Sequence, residues 1–280
     1  MPDIPLAPGS FFAVVPRGGA LPAFLSFGRG SLERVSQTRV TDLIKSSSAP
    51  AVSDPLTPGS YNASPEVYRF GSGATVVVRS GPVLGADGGL YTEPLTASDS
   101  TGLCVLVPGS YISNADELAE RLDEQPASDR RSEGAALILR LYARDPDPLL
   151  VLSELQGSFA FFLFDAERRT AFAARDGSGE VPLFFEIDDD GGVSVASAPV
   201  TVPSAHVGLT QWEALPAGRY IAGRAPRVHR FALTQEEMAE REAMEACLED
   251  ECISPRAAHS PTRGFFSAGR EAVATASSWH

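Results

Sequence analysis

Short apolar segments separated by polar turns occur throughout the chain, and the clearest pair lies in its second half. Ser158–Asp165 and Thr170–Asp176 are nearly continuous apolar segments, and the polar segment Glu167–Arg169 joins them. Segments of this length bounded by turn residues are typical of strands that are buried on both faces. A short polar connection between two such strands favours a hairpin. The pattern therefore predicts a central antiparallel hairpin.

Other segments have the same apolar character on a smaller scale. Ser10–Val15 is a short apolar segment between two proline-containing turns, which is typical of a buried strand. Gly71 and Gly73 mark the turn of a further hairpin. By contrast, residues 80–102 are rich in Gly, Asp and Thr, so we expect a loop there. The remaining predicted strands are 67–70, 74–79, 103–107, 181–185, 193–196, 219–222 and 227–231.

Apolar positions three and four residues apart predict helices. Asn114 is followed three residues later by Glu117, the spacing of a capping box at a helix N-terminus. A second helix is expected from Ser132 until just before Pro146, because proline disfavours the helical conformation of the preceding residue. Thr234 is expected to cap an acidic helix. The predicted helices are 31–46, 114–122, 132–144, 148–156 and 233–252.

The order of these elements, strands followed by helices and then more strands, is typical of a layered α+β domain in which helices cover antiparallel sheets. Residues 10–232 are expected to form that domain, after a Pro-rich leader at 1–9. The acidic helix at 233–252 follows the domain. Residues 253–280 are mostly small and polar, so we expect them to be disordered.

The charge balance excludes one broad class of partner. The chain has 23 basic and 36 acidic residues, a formal net charge of −13. Such a surface repels phosphate, so we expect no binding to nucleic acid. Lys45 is the only lysine, which excludes a lysine Schiff base elsewhere in the chain.

Cysteine, histidine and hydropathy patterns indicate a protein of the reducing cytoplasm. Three cysteines are too few for a disulfide framework, and we expect Cys104, inside an apolar strand, to be a buried structural thiol. The four histidines share no metal-ligand spacing, so neither a metal nor a cofactor is expected. No segment approaches the ~18 apolar residues of a membrane-spanning helix, and the N-terminus lacks the pattern of a secretory signal. We therefore predict a cytoplasmic location without membrane association.

Two segments around the central hairpin resemble a known family. Leu155–Asp165 reads LQGSFAFFLFD and Ala173–Phe184 reads AARDGSGEVPLF. Together they resemble the GxFAFxLYD and xARDxxGxxPLxxG core of class II glutamine amidotransferase domains, as in asparagine synthetases. The resemblance implies the N-terminal-nucleophile hydrolase fold, an α+β architecture in which two stacked antiparallel β-sheets are sandwiched between helices. It also implies that Arg175-Asp176 stabilises a turn.

Within this superfamily the chain is most similar to the plant stem-specific or aluminium-induced proteins. The resemblance extends over roughly residues 10–232 and is most specific at 155–185. Those plant proteins have no established biochemical function, so the likeness implies a fold rather than an activity. The further segments that carry it are Phe12–Val15, Phe70–Ala74, Tyr111–Asn114 and Leu215–Gly218.

The family's catalytic groups are mostly replaced in this chain. Class II enzymes use an N-terminal cysteine whose own α-amine is the base, and an Asn–Gly pair that stabilises the oxyanion. Phe12 stands at the cysteine position, and Gly134 stands where an aspartate binds the substrate amine. Arg79 matches the arginine that binds the substrate carboxylate. The expected remnant of the pocket comprises Arg79, Gly109, Ser110, Asn114 and Gly134.

These replacements favour a catalytically degenerate domain that serves as a binding or regulatory module for a small amino-acid-like ligand, a protein partner or a second copy of itself. One alternative is an active amidohydrolase in which cleavage after Gly9 exposes Ser10 as an N-terminal nucleophile, although Pro-Gly-Ser is also an ordinary turn sequence. A second alternative is an interaction protein whose pocket is filled by side chains.

Overall fold

The computed structural model describes residues 9–16, 65–84, 90–122, 133–188, 191–198, 212–223 and 226–253. The chain divides into two units, Met1–Met238 and Ala239–His280. The first unit contains every strand of the part that the structure describes. The predicted helix at 31–46, the leader before Gly9 and the polar tail from residue 254 onward lie outside the described residues.

The first sheet is antiparallel, with six strands in the order β14-β12-β13-β1-β3-β2. Its central strand β1 pairs with β3 on one side and with β13 on the other. β1 and β3 are buried along their whole length, as their continuous apolar sequences predict. Its strands are β1 (Ser10–Val15), β2 (Glu66–Arg69), β3 (Thr75–Arg79), β12 (Phe184–Ile187), β13 (Val193–Ala196) and β14 (Glu213–Ala214).

The second sheet is also antiparallel and has six strands, in the order β16-β15-β11-β10-β7-β6. Its centre is the predicted hairpin of β10 and β11, in which Asp165 faces Thr170 across the turn. Its strands are β6 (Leu95–Ser98), β7 (Gly102–Leu106), β10 (Ala160–Asp165), β11 (Thr170–Arg175), β15 (Arg219–Gly223) and β16 (Arg227–Arg230). Two small pairs complete the strands: β4 (Gly81–Leu84) with β5 (Leu90–Glu93), and β8 (Tyr111–Ile112) with β9 (Gly157–Ser158).

The two sheets stack face to face, because alternate residues of their strands share one core. Phe11 of β1 contacts Phe162 of β10, with ring centroids 6.1 Å apart. Phe70 contacts Phe164 in the same way at 4.5 Å. Side chains of a strand point alternately to its two faces, so every second residue enters this layer. The shared core also includes Ala13, Val76, Val78, Leu103, Val105, Ala173, Leu183, Val195 and Ile221.

Helices cover the other face of the second sheet. The amphipathic helix α2 (Glu133–Arg144) packs against β6 and β7. Its apolar residues join those of β10 and β11 in a second core, which we call the helix-side core. The described helices of the first unit are α1 (Ala115–Arg121), α2 (Glu133–Arg144) and α3 (Pro148–Glu154). The prediction of an α+β fold with two stacked antiparallel sheets is therefore confirmed, as the family resemblance implied.

Two local predictions are wrong. Residues 80–102, expected to be a loop, include β4, β5 and β6, and β6 forms the edge of the second sheet. Asn114 does stand at the N-cap of α1, but its side chain makes no capping hydrogen bond. Its amide nitrogen instead donates to the Glu154 carbonyl oxygen at 2.8 Å, and its amide oxygen accepts from the Gln156 N–H at 3.1 Å. A contact distant in sequence has replaced the local cap.

A capping box does occur, at the acidic helix α4 (Gln235–Ile253). The Thr234 hydroxyl accepts from the Glu237 N–H at 3.2 Å, and the Glu237 carboxylate accepts from the Thr234 N–H at 2.9 Å. Glu237 also forms an ion pair with Arg230 at 2.6 Å. The predicted helix and its cap at Thr234 are thus confirmed.

Cys104 is expected to be unreactive in the folded protein. It is fully buried in β7, and this burial raises the pKa of its thiol. Since the thiolate is the reactive form, iodoacetamide at neutral pH should leave Cys104 unmodified in the native state and modify it completely in denaturant. Mass spectrometry of a Cys247→Ser/Cys252→Ser variant, in which Cys104 is the only cysteine, measures this directly. Modification of the native variant at the rate of a free thiol would contradict it.

Candidate functional site

Two ring contacts fix the relative direction of the two sheets. Phe11, near the start of β1, lies against Phe162, whereas Phe70, beside the far end of β1, lies against Phe164. The start of β10 therefore lies at the same end of the sandwich as the start of β1. Because β3 is antiparallel to β1 and β7 is antiparallel to β10, their C-terminal ends lie there as well. We call this end the candidate site.

Two of the predicted site residues are neighbours at this end, on the first sheet. Ser10 faces Arg79 in the β1–β3 register, and the Gly9 N–H donates to the Arg79 carbonyl oxygen at 2.8 Å. Both side chains are buried, with 6% and 8% of their surface exposed. By strand alternation they lie on the same face as Phe12 and Val77, away from the core between the sheets. The sequence alone did not indicate this pairing.

Gly109 and Ser110 reach the same end from the second sheet, in the turn that follows β7. The Ser110 hydroxyl donates to the carbonyl oxygen of Ala160 and accepts from the N–H of the same residue, each at 3.1 Å. Gly109 has a φ of +83°, and a Cβ added to it would meet no heavy atom within 4 Å. The turn is thus tied to the first residue of β10 through the serine, while the glycine beside it borders open space.

Phe12, which stands where the family has its cysteine, is part of an apolar layer. It faces Val77 on one side and Ala196 on the other, and 1% of its surface is exposed. Its ring meets Trp212 edge to face with centroids 6.0 Å apart. This position therefore contributes packing and has no group that can attack an amide.

Asn114 and Gly134 are on the helix side of the second sheet. The two hydrogen bonds of Asn114 hold the chain after α3 against β8. A Cβ added to Gly134 would lie 2.9 Å from Leu106 and 3.4 Å from Ile112, both members of the helix-side core. An aspartate in place of this glycine would require the Leu106 side chain to shift. The structure thus brings Ser10, Arg79, Gly109 and Ser110 to one end of the sandwich and places Asn114 and Gly134 in the helix layer.

Arg175 stabilises the turns at the end of β11, as predicted. Its guanidinium donates to the Val181 and Leu215 carbonyl oxygens at 2.8 Å each, and also to that of Gly179. Burial lowers the pKa of this guanidinium, and the neighbouring Asp176 opposes that shift. One side chain thus joins the turn after β11 to the segment that leads into β15.

Asp176 has a matching role on the other side of the turn. Only 4% of its surface is exposed, and its carboxylate accepts from the Phe159 N–H at 3.1 Å and from the Ser178 N–H at 2.7 Å. Its main-chain oxygen accepts from the Gly218 N–H at 2.8 Å. Arg175 and Asp176 together hold the loops of the second sheet.

The helix side also has a cavity that the sequence patterns did not indicate. Its volume is about 420 Å³. Three separate segments of the sequence form it, so no local motif marks it. We call it the helix-side cavity, and it is lined by Leu149, Leu152, Ser153, Leu155, Gly157, Phe159, Asp176, Gly177, Phe231 and Ala232.

Within the part of the chain that the structure describes, no three or more His, Cys, Asp and Glu side chains are arranged to hold a metal ion. Over the same residues, no helix has the length and apolar character needed to cross a bilayer.

Comparison with solved structures gives similarities of low identity. Glutamine phosphoribosylpyrophosphate amidotransferase from B. subtilis, complexed with ADP and GMP, is 16% identical over 80% of this chain and 50% of its own, with a TM-score of 0.41. A structure described as the allosteric regulatory enzyme of purine biosynthesis is 17% identical over 80% and 49%, also at 0.41. A glutamine aminotransferase class-II domain protein from Silicibacter pomeroyi is 12% identical over 81% and 100%, at 0.38. The chain thus spans about half the length of the first two.

Sequence comparison gives a more specific result. No curated protein matches the chain in sequence. Residues 88–203 match the family described as glutamine amidotransferase domain. That segment includes the β7 turn with Gly109 and Ser110, and the Arg175-Asp176 pair, whereas Ser10 lies before it. The chain therefore contains a glutamine amidotransferase-like domain.

Proposed function

We propose that this domain is catalytically degenerate and acts as a binding or regulatory module of the cytoplasm, most similar to the stem-specific or aluminium-induced branch of its superfamily. The observation that carries the proposal is the burial of Phe12 between Val77, Ala196 and Trp212. A phenyl ring cannot replace a thiol as a nucleophile. The Ser110 hydroxyl, bonded to both main-chain groups of Ala160, does not replace the side-chain amide of an oxyanion hole.

The ligand that this module suits best is a small amino acid or a close analogue. Arg79 lies at the candidate site, and a guanidinium is the side chain that best matches a carboxylate. Gly109 borders open space in the same region, where a ligand has room to approach the main chain. Binding without turnover is then the expected behaviour, because recognition of the carboxylate is retained while the nucleophile is lost.

The first experiment combines turnover with binding on the full chain. We expect no release of ammonia or glutamate from L-glutamine, and a rise in melting temperature of several degrees at millimolar L-glutamine. D-glutamine is the matched control, because it has the same charges in the opposite arrangement. Glutaminase turnover would overturn the degenerate reading. Absence of any shift in melting temperature would remove glutamine as the ligand and favour an interaction protein whose pocket is filled by side chains. Sedimentation velocity would then measure whether the protein forms a homodimer or a complex with a partner.

A second candidate function is an amidohydrolase with Ser10 as its N-terminal nucleophile. The observation that favours it is the pairing of Ser10 with Arg79, which would put a hydroxyl and an α-amine next to a carboxylate-binding group. It requires hydrolysis of the Gly9–Ser10 peptide bond. The intact mass of untagged protein tests this, with Ser10→Ala as the variant that blocks processing and Ser98→Ala as an exposed control. We expect no species that begins at Ser10; finding one would make amide substrates the next assay.

A further inference from the structure

The helix-side cavity combines apolar walls with one buried charge. Leu152, Leu155 and Phe159 belong to the helix-side core, and Phe231 packs against it. Leu149 stands at the rim with 49% of its surface exposed. A volume of about 420 Å³ is in the range of sites for small molecules. The shape and lining therefore suit a compact ligand with an apolar body.

Asp176 supplies the charge. It is more than nine-tenths buried, yet among the described residues its carboxylate has no ion-pair partner. Its two oxygens accept one main-chain N–H each, from Phe159 and Ser178. A carboxylate has about four acceptor positions, so further hydrogen bonds are available to a ligand. Buried carboxylates in proteins are usually paired with a cation, which makes this one a recognition feature.

The charge of the neighbouring Arg175 acts on Asp176, but Arg175 donates no hydrogen bond to that carboxylate. Its guanidinium donors are directed at the carbonyl oxygens of Val181, Gly179 and Leu215. The cavity lining has no Lys, Arg or His. Two aromatic rings, Phe159 and Phe231, line the same cavity, and aromatic faces attract cations. A formal net charge of −13 adds a general attraction for positive ligands.

We propose that the helix-side cavity binds a small primary ammonium compound with an aromatic or branched aliphatic body. The ammonium group donates to Asp176, and the body lies against Leu149, Leu152 and Phe231. A neutral analogue loses the charge-assisted hydrogen bond, and an anionic analogue is repelled by the same carboxylate. The inference goes beyond the proposed function, because this cavity lies on the helix side of the second sheet, whereas Ser10 and Arg79 belong to the first sheet. The two sites adjoin at Phe159, whose neighbour Ala160 bonds to Ser110.

The test titrates the full chain with phenethylammonium by isothermal calorimetry, with 2-phenylethanol and 3-phenylpropionate as matched probes that carry the same phenethyl body. We expect saturable 1:1 binding of the ammonium compound, at least ~tenfold weaker binding of the alcohol, and no binding of the carboxylate. No binding of phenethylammonium at millimolar concentration, or equal binding of the alcohol, would overturn the proposal. L-glutamine binding is measured separately and does not decide this result.

Two leucines of α3 locate the site without disturbing the fold. Leu149 lines the cavity, whereas Leu150 does not, and their side chains are equally exposed at 49% and 50%. We expect Leu149→Ala to weaken phenethylammonium binding about fivefold, because it removes an apolar wall, and Leu150→Ala to change it less than ~twofold. Equal effects of the two substitutions would place the ligand elsewhere and overturn the assignment. Asp176 is left intact, because its substitution would also remove the hydrogen bonds to Phe159 and Ser178.

Discussion

Replacing Gly157 with alanine is expected to lower the free energy of unfolding by about 3–5 kcal/mol. Gly157 has a φ of +122°, a conformation that residues with a Cβ rarely adopt. In addition, a Cβ at this position would lie under 3.0 Å from the carbonyl oxygen of Tyr111 and from the N–H of Ser113. Both neighbours are main-chain atoms, so relief requires β8 and β9 to separate. Urea denaturation followed by circular dichroism measures the change.

Two other glycines serve as controls that distinguish the effect of the positive φ from that of the close contact with main-chain atoms. Gly223 also has a positive φ, +92°, but a Cβ there would meet nothing within 4 Å. Gly71 has open space and no such φ. We expect Gly223→Ala to cost ~1 kcal/mol and Gly71→Ala to be nearly neutral. If Gly157→Ala cost no more than Gly223→Ala, the close approach of β8 and β9 would not be what requires glycine.

The central strands of the two sheets were predictable because nearly all of their residues are apolar. Phe161, Phe162 and Leu163 are fully buried, and a continuous apolar segment is what two-sided burial requires. The charged segment Glu167–Arg169 marks the turn between β10 and β11, and Asp176-Gly177 marks the turn after β11. Local pattern and global fold therefore agree for β1, β3, β10 and β11.

Elements were missed where the deciding contacts are distant in sequence. β6 forms the edge of the second sheet and has only four residues; Leu95 and Ala97 alternate with polar residues, but so short a segment does not stand out from a loop in the sequence. Asn114 followed by Glu117 matches a capping box, yet the asparagine bonds to Glu154 and Gln156 about forty residues away. A local motif predicts the local partner, and tertiary structure selected another one.

The residues assigned to the candidate site stay a prediction from the family pattern, and the sequence did not indicate how they would be arranged. The family pattern singled out Arg79, Gly109 and Ser110, and strand register brings the first of these next to Ser10. That register depends on pairing between residues more than sixty positions apart in the chain, which no single-sequence pattern specifies. The helix-side cavity is a stronger case, since its lining comes from three segments that are distant in sequence and carry no recognisable motif.

Replacing Arg175 with alanine is expected to cost about 3 kcal/mol of stability, and replacing it with lysine about 2 kcal/mol. The guanidinium bonds three carbonyl oxygens in different directions, those of Val181, Gly179 and Leu215. Alanine removes every one of these donors. A lysine ammonium keeps the charge but is a single point that cannot reach three separated acceptors. Chemical denaturation with matched m-values for each variant gives the two differences.

A second arginine shows whether that loss comes from the geometry rather than from the removal of a positive charge. Arg144 is 52% exposed and lies 4.0 Å from Glu154, so Arg144→Ala should change stability by less than ~0.5 kcal/mol. If Arg175→Lys were as stable as the unmodified chain, charge alone would suffice and the three carbonyl contacts would be incidental. If Arg175→Ala cost no more stability than Arg144→Ala, Arg175 would not be needed to hold the turn. The expected order of stability is Arg175→Ala lowest, Arg175→Lys intermediate and the unmodified chain highest. This order follows only if the planar guanidinium joins the turn after β11 to the segment that leads into β15.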